Sequence, residues 1–342
     1  NYALNESESQ FYMNNPPIGD ETGIIANWKF NAGEGDILYD HSGNQNHGTI
    51  TGPIWEEIEQ EAVLGCTDPL ADNYNFDANE DDGSCFYPDN GNFSLNFDGL
   101  NDYVECEENL VLDNLNEISV SVLARFNETG TTNGILEKYQ WSSSASARKG
   151  WYIRKNEDDI LQIEINTEQG KQSGYSIQAV PIDEYVNISF TYDGNEAKIY
   201  INGIENTDLF NSNGGDLDNT VNSLAFGNLR WGNTDENGIH NTMIHNGDIQ
   251  SVQIYDYALD QEQIQSNMIS ELDVNEFGLV GNWKFNSGEG NILYDHSGNQ
   301  NHGTIIGAQW NSETLGCTDP FAVNYDENAV SDDGSCNYLN NG

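Results

Sequence analysis

Between Asn92 and Tyr257 apolar and polar residues alternate with a period close to two. The clearest runs are Phe93–Phe97, Ile118–Phe126, Leu161–Ile165, Val186–Tyr192, Ala197–Ile201 and Ile249–Tyr255. Alternation sends every second side chain to one face, so each run predicts a strand with one buried side. Tyr192-Asp193-Gly194-Asn195 separates two of these runs and reads as a hairpin turn. A single helix is predicted: Asp260 caps Gln261 to Ile269, with Ile264 and Met268 one turn apart. Many antiparallel strands and so little helix predict an all-β fold, an antiparallel two-sheet jelly-roll sandwich carrying small, loop-rich, disulfide-stapled modules.

An internal repeat divides the chain. GIIANWKFNAGEGDILYDHSGNQNHGTITGPIW (Gly23 to Trp55) returns as GLVGNWKFNSGEGNILYDHSGNQNHGTIIGAQW (Gly278 to Trp310). Each copy is followed by a cysteine-bounded piece, Gly65 to Cys85 and Gly316 to Cys336. The reading is therefore 1–22 an N-terminal extension or linker, 23–63 a first opener segment, 64–90 a first disulfide module, 91–272 the body, 273–314 a second opener and 315–342 a second disulfide module. Two openers share one body, so one copy is expected to lack a partner within its own chain.

Charge narrows the partners. Against 57 Asp and Glu stand 11 Lys and Arg, a formal charge of -46 over 342 residues. Such a chain repels nucleic acid and anionic membrane, and it attracts cations, calcium above all, a hard ion that takes oxygen ligands. Solubility in a salty medium is the plainer reading of the same charge. No apolar run approaches membrane-spanning length, so no membrane insertion is expected. Asn1 opens on no leader pattern, so a secreted protein would here be in processed form.

Cys66 and Cys85 are separated as Cys317 and Cys336 are, which predicts two disulfides and an oxidising, extracellular setting. Cys106 is left over; alternating with Val104, it is read as a small inward-facing residue, an intermolecular disulfide being the alternative.

The blocks FSLNFDGLNDYVEC, GILEKYQW, GWYIRKN, ISFTYDGNEAKIYINGIE, SLAFGN and GDIQSVQIYDYALDQEQI resemble, in order, those of laminin-G-like (concanavalin A-like) jelly-roll domains of secreted bacterial proteins. The GCTDP…DDGSC pieces resemble a short disulfide repeat of secreted marine bacterial proteins and, more loosely, calcium-binding thrombospondin type 3 repeats. In this family the WKFN segment usually opens a domain and FDGxxDYV follows. The resemblance thus implies that the first opener sits beside the body, and that Gly278 to Gly342 resembles the start of a domain whose remainder is missing.

Candidate chemistry follows. Asp40, Asn44 and Asn46, with Asp295, Asn299 and Asn301 in the second copy, crowd oxygen atoms into Gly-containing turns; Asp98 and Asp102 are their expected complements around calcium. Asp68, Asn75, Asp77, Asp81 and Asp82, and Asp319, Asp326, Asp332 and Asp333, are the denser set in the disulfide modules. Asx-turns that hold a loop without metal explain the same residues. Trp141 and Trp231 lie in polar loop sequence and are candidates for stacking on surface glycans; Trp151, alternating within GWYIRK, is read as core. No pair of carboxylates, Ser/His/Asp set or phosphate loop argues for an enzyme or an organic cofactor.

Leu279, Val280, Trp283 and Phe285 of the second opener are the expected assembly residues, seeking a sheet in a copy of the same chain or in a neighbouring module of a tandem array. The function expected is that of a secreted structural or adhesive protein, calcium-stabilised and assembling into a filament. The alternative is a calcium-dependent, lectin-like carbohydrate-binding module.

Overall fold

A computed structural model describes residues 23–56, 61–106, 112–113, 115–144, 147–208, 214–220, 222–234, 240–270, 272, 276–312, 315–316, 319–325, 331–332 and 336–338. It divides into two compact units, one ending at Ala62 and one beginning at Val63.

The first unit holds the first opener. Strands β1 (Ile37–Leu38) and β2 (Gly48–Thr49) pair antiparallel, and Trp28 bridges to Asp40.

The second unit starts with the first disulfide module, where β3 (Leu64–Gly65) and β4 (Glu80–Asp81) pair in parallel. The body then supplies β5 (Phe93–Asp98), β6 (Tyr103–Cys106), β7 (Ile118–Phe126), β8 (Asn133–Gln140), β9 (Lys149–Lys155), β10 (Ile160–Thr167) and β11 (Gly170–Ala179). It continues with β12 (Tyr185–Tyr192), β13 (Ala197–Ile201), β14 (Ile204–Glu205), β15 (Ala225–Phe226), β16 (Asn228–Thr234), β17 (His240–Ile244) and β18 (Asn246–Tyr255). Helix α1 (Gln261–Asn267) follows, capped as expected by Asp260, whose carboxylate accepts from Gln263 N while the Gln263 side chain accepts from Asp260 N. The second opener gives β19 (Leu279–Trp283), β20 (Ile292–Leu293), β21 (Gly303–Ile306) and β22 (Gln309–Ser312), and the last module gives β23 (Leu315–Gly316) and β24 (Ser331–Asp332).

Two large sheets face each other. Sheet I runs β11-β10-β9-β8-β15-β6-β21-β20; sheet II runs β14-β13-β12-β7-β18-β5-β22, with β19 also paired to β18. Period-two strands bury one face each: Val120, Val122, Ile188 and Phe190 of sheet II meet Ile153, Ile163 and Ile165 of sheet I in one core. Trp151 joins that core, its ring 5.6 Å from Phe190. The Asp193 turn closes β12 onto β13, its carboxylate accepting from Asn195 N and Glu196 N while Gly194 takes φ +82°.

The second opener is part of this sandwich. Its strand β19 lies along β18, β21 along β6 and β22 along β5. Leu279, Val280, Trp283 and Phe285, expected to wait for another molecule, are all buried in the protein's own fold. Trp283 stands edge-on to Phe226 at 4.9 Å. The expectation is thus reversed: the second opener closes the body, and the first opener shows the apolar faces.

A glycine explains the fit. A Cβ added to Gly281 would lie 2.5 Å from the Trp283 ring, so only a glycine lets the indole lie flat on the strand. The first copy carries Ala26 at that place. Trp28 and Phe30, counterparts of Trp283 and Phe285, are 43% and 68% exposed, against 0% and 1%.

Candidate functional site

The outer face of sheet I carries a row of polar side chains that only cross-strand register reveals. Ser173 lies opposite Glu164, Glu164 opposite Tyr152, Tyr152 opposite Glu137, Glu137 opposite Ala225, and Ala225 opposite Glu105. Directly opposed residues share a face, so three carboxylates stand two strands apart along one line.

Glu164 is fully buried and fully engaged. Its carboxylate accepts from Tyr139 Oη at 3.0 Å and Tyr152 Oη at 2.9 Å, and pairs with Lys171 Nζ at 2.6 Å. Burial first, and then the neighbouring carboxylate, push both phenols well above their ordinary range, so each stays a proton donor. The rings of Tyr139 and Tyr152 meet edge-on at 5.0 Å and pack with Leu229, Trp141 and Met243. The β16–β17 hairpin therefore lies over this part of the sheet. A Cβ on Gly134 would come within 2.5 Å of Leu229 N, which shows how closely hairpin and strand approach.

Around this network the surface is cationic and aromatic. Arg154 donates to Gln162 Oε1 at 2.7 Å and lies 5.8 Å from the Tyr152 ring centre. Trp141 is half-buried at the end of β8, with the Arg148 guanidinium 6.0 Å over its ring. Ser223 donates to Glu105 at 2.6 Å farther along the row. Trp231 lies in β16; its side chain lies outside the described residues.

Among the described residues no group of three or more His, Cys, Asp or Glu is arranged to hold a metal ion. In the openers both aspartate carboxylates are already used. Asp295 accepts from Asn282 N, Ser297 N, Ser297 Oγ and Asn301 N, at 2.8 to 2.9 Å. Asn299 and Asn301 donate their amides to the Val280 carbonyl, and Asn44 and Asn46 donate theirs to Ile25. These are loop staples of the Asx-turn kind. Asp98 and Asp102 serve their own turn: Asp102 accepts from Asp98 N and Asp98 from Leu100 N.

The two copies of the staple titrate in opposite directions. Asp40 accepts from the same four donors, and they outweigh its desolvation and hold it well below the usual carboxylate range. At fully buried Asp295 desolvation wins over those hydrogen bonds and the carboxyl is pushed up.

In the first disulfide module Cys66 and Cys85 are bonded. Asp81 accepts from Thr67 Oγ1 and Gly83 N, Asp82 from Ser84 N, and Asp77 N donates to Asn75. Asp68 has a different task. Its Oδ2 accepts from Tyr87 Oη at 2.7 Å and lies 2.6 Å from Nε2 of His302 in the second opener. Because Nδ1 of His302 accepts from Asp295 N, Nε2 carries the proton and donates to Asp68. Tyr87 also stacks on Tyr294 at 5.1 Å, and Asn90 donates to the Ser287 carbonyl. The module is thus clasped onto the opener that completes the body.

Asp319 of the second module repeats the inner half of that clasp, accepting from Tyr338 Oη at 2.8 Å. Cys336 is disulfide-bonded. Cys317, Asp326 and Asp333 lie outside the described residues, as does the side chain of Asp332. Cys106 is a buried thiol whose pKa burial raises. The alternation of β6 foretells its place. The Glu164 network and the Asp68–His302 contact were missed by sequence reasoning. The identical placement of His47 and His302 was the one signal for the second.

A family model described as the concanavalin A-like lectin/glucanases superfamily, of laminin-G type, matches residues 97–265. No curated protein matches the chain. Among solved structures, a Bacteroides ovatus protein described as carbohydrate-binding is similar at 16% identity and TM-score 0.46, covering 65% of this chain. The chain spans 60% of the length of that structure. A heptameric SAP-like pentraxin of Limulus polyphemus is similar at 12% identity and TM-score 0.37, over 51% of this chain and 81% of its own. The CBM40 domain of the Ruminococcus gnavus IT-sialidase, bound to α2,3-sialyllactose, gives 12% identity and TM-score 0.36, over 51% of this chain and 97% of its own. Two facing antiparallel sheets, the ordered sequence blocks and the matched span agree, and residues 97–265 are a laminin-G-like domain of the concanavalin A-like superfamily.

Proposed function

We propose that the chain is a secreted, non-catalytic recognition protein whose laminin-G-like domain binds saccharides on the outer face of sheet I. The observation that carries this reading is the half-buried Trp141 beside Arg148, Arg154 and the Glu164 network. An indole offers a flat apolar surface to a sugar ring, and arginines beside it offer paired donors to hydroxyl or carboxylate oxygens. Tyr139, Tyr152 and Lys171 lock the floor beneath, so the surface is formed before a ligand arrives. The family description, which names lectins and glucanases, supports saccharides as the ligand class.

Glycoside hydrolysis would need two carboxylates reaching one cleft. Glu137 and Glu164 are both sealed at 0% exposure, so neither reaches a bound sugar. The Cys66–Cys85 disulfide supports an oxidising, extracellular setting. Among the described residues no helix is long and apolar enough to cross a membrane.

The test is a panel of neutral and acidic oligosaccharides, read by calorimetry on the full chain. Binding that weakens about tenfold or more in Trp141→Ala, with an unchanged melting temperature, supports the reading. Binding unaffected by that change, or no saccharide bound at all, overturns it.

A further inference from the structure

We propose that a groove on the outer face of sheet II binds a short uncharged oligosaccharide, at a second site separate from the Trp141 surface on sheet I. The inference goes beyond the function proposed above and does not rest on Trp141 or on the Glu164 network.

The groove is built by register. Gln253 of β18 lies opposite Ser121 of β7 on one side and Asn282 of β19 on the other. Two residues along, Leu123 of β7 lies opposite Asn187 of β12 and Ser251 of β18. Directly opposed residues share a face. Val122, Val252, Ile254 and Trp283 of the same strands turn into the core, so this set faces outward. Lys284 and Met268, the C-cap residue of helix α1, also line the groove. Its volume is about 330 Å³, within the range of small-molecule sites.

Asn282 carries the inference. Its backbone is fixed: the N–H donates to Asp295 Oδ1 at 2.8 Å, and the carbonyl accepts from His296 N at 2.7 Å. The residue is 3% exposed and lines the groove, yet its side-chain amide has no hydrogen-bond partner among the described residues. Buried polar groups are ordinarily hydrogen-bonded, and leaving one unmet is costly. A ligand in the groove would meet it. Gln253 beside it likewise gives neither atom of its amide to a partner among the described residues.

The lining names the ligand. The chain carries 57 Asp and Glu, yet none is among the described residues that line this groove. Amides and hydroxyls take their place, and Lys284 is the one charged group among them. A side-chain amide offers donors and an acceptor side by side, and a sugar hydroxyl both donates and accepts. Neighbouring hydroxyls of one ring therefore suit both atoms of one amide, while Leu123 and Met268 offer apolar surface to its C–H edges. The overall charge of -46 disfavours an anionic sugar, so the fitting saccharide is uncharged.

Methionine-methyl NMR of the full chain tests this, with maltotriose, cellotriose, xylotriose, mannotriose and arabinotriose as the probes. Met268 lines the groove, whereas Met243 packs with Trp141 against the Tyr139 and Tyr152 cluster, so the two methyls report the two sites separately. The expected result is a saturable shift of the Met268 methyl with at least one of the five. Asn282→Leu and Gln253→Ala are each expected to weaken that titration about tenfold or more, because each removes hydrogen bonds to the ligand. Neither is expected to lower the melting temperature, because neither breaks a side-chain bond within the protein. No Met268 shift with any of the five overturns the proposal; a shift at Met243 alone does so while leaving the sheet I reading intact. A Met268 titration that neither substitution weakens also overturns it.

Discussion

Trp28 and Trp283 make the same hydrogen bond in two copies of one motif. Each donates its indole N–H at 2.9 Å to the carbonyl of an asparagine eighteen residues on, Asn46 or Asn301. The surrounding turns agree as well, with Phe30 and Phe285 at φ 53° and 54° and Gln45 and Gln300 at 59° and 56°. One indole is nevertheless 43% exposed and the other fully buried. The opener therefore takes the same local shape whether its indole is exposed or buried, so local shape and burial are separable.

That separation predicts unequal costs. Trp283→Ala removes a large side chain from the core and is expected to destabilise the sandwich by about 3–5 kcal/mol. Trp28→Ala is expected to change it by less than about 1 kcal/mol. Urea unfolding followed by far-ultraviolet circular dichroism reads both; similar losses for the two variants would contradict the assignment.

Asp40 and Asp295 share their donors and differ in burial, so they are expected to titrate on opposite sides of an ordinary aspartate. Carboxyl carbon shifts in an acid titration check this: Asp40 stays ionised to lower pH than a model aspartate, and Asp295 takes up its proton at higher pH. Because the donors already satisfy Asp295, a calcium chelator is expected to leave the melting temperature of the sandwich unchanged.

His245 gives a pH dependence to the core. It sits between Phe97 and Phe126, its Nε2 3.3 Å from the Asp248 carbonyl, with Arg125 and Lys155 nearby. Desolvation pushes its pKa down to about 4, below the unfolded value near 6.5. The unfolded chain therefore binds a proton that the folded one refuses as pH falls through this window. Stability is expected to drop by up to about 3 kcal/mol between roughly pH 6.5 and pH 4. Denaturant titrations at several pH values should show this slope, and His245→Gln should flatten it.

Glu164→Gln replaces an acceptor of charge-assisted bonds by an amide that must also place two donors in a buried site. The expected loss is about 2–3 kcal/mol, with the tyrosine rings loosened beneath Trp141. Thermal unfolding with the Tyr139 and Tyr152 ring resonances as local probes would report both; an unperturbed variant would show that the network holds little.

Much of the fold was legible because strand period and burial are local facts. Ile118–Phe126 and Ala197–Ile201 were read to the residue, and the inward turn of Trp151 and Cys106 followed from alternation. Helix α1 ends at Asn267, two residues short of its predicted end. The identity of the completing opener was not legible, since two nearly identical segments make equal claims on one body. The deciding methyl, present in Ala26 and absent in Gly281, matters only once Trp283 lies across it. The row of Glu105, Glu137 and Glu164 was hidden for another reason: residues far apart in the chain are aligned only through register across five strands of sheet I.

Oxidative footprinting of the dilute native chain, with each tryptophan quantified by mass spectrometry, addresses the exchange of roles between the two openers most directly. Rapid modification of Trp28 with Trp283 protected until the sandwich unfolds is the result this structure predicts. Protection of Trp28 with ready modification of Trp283 would mean that the first opener closes the body after all.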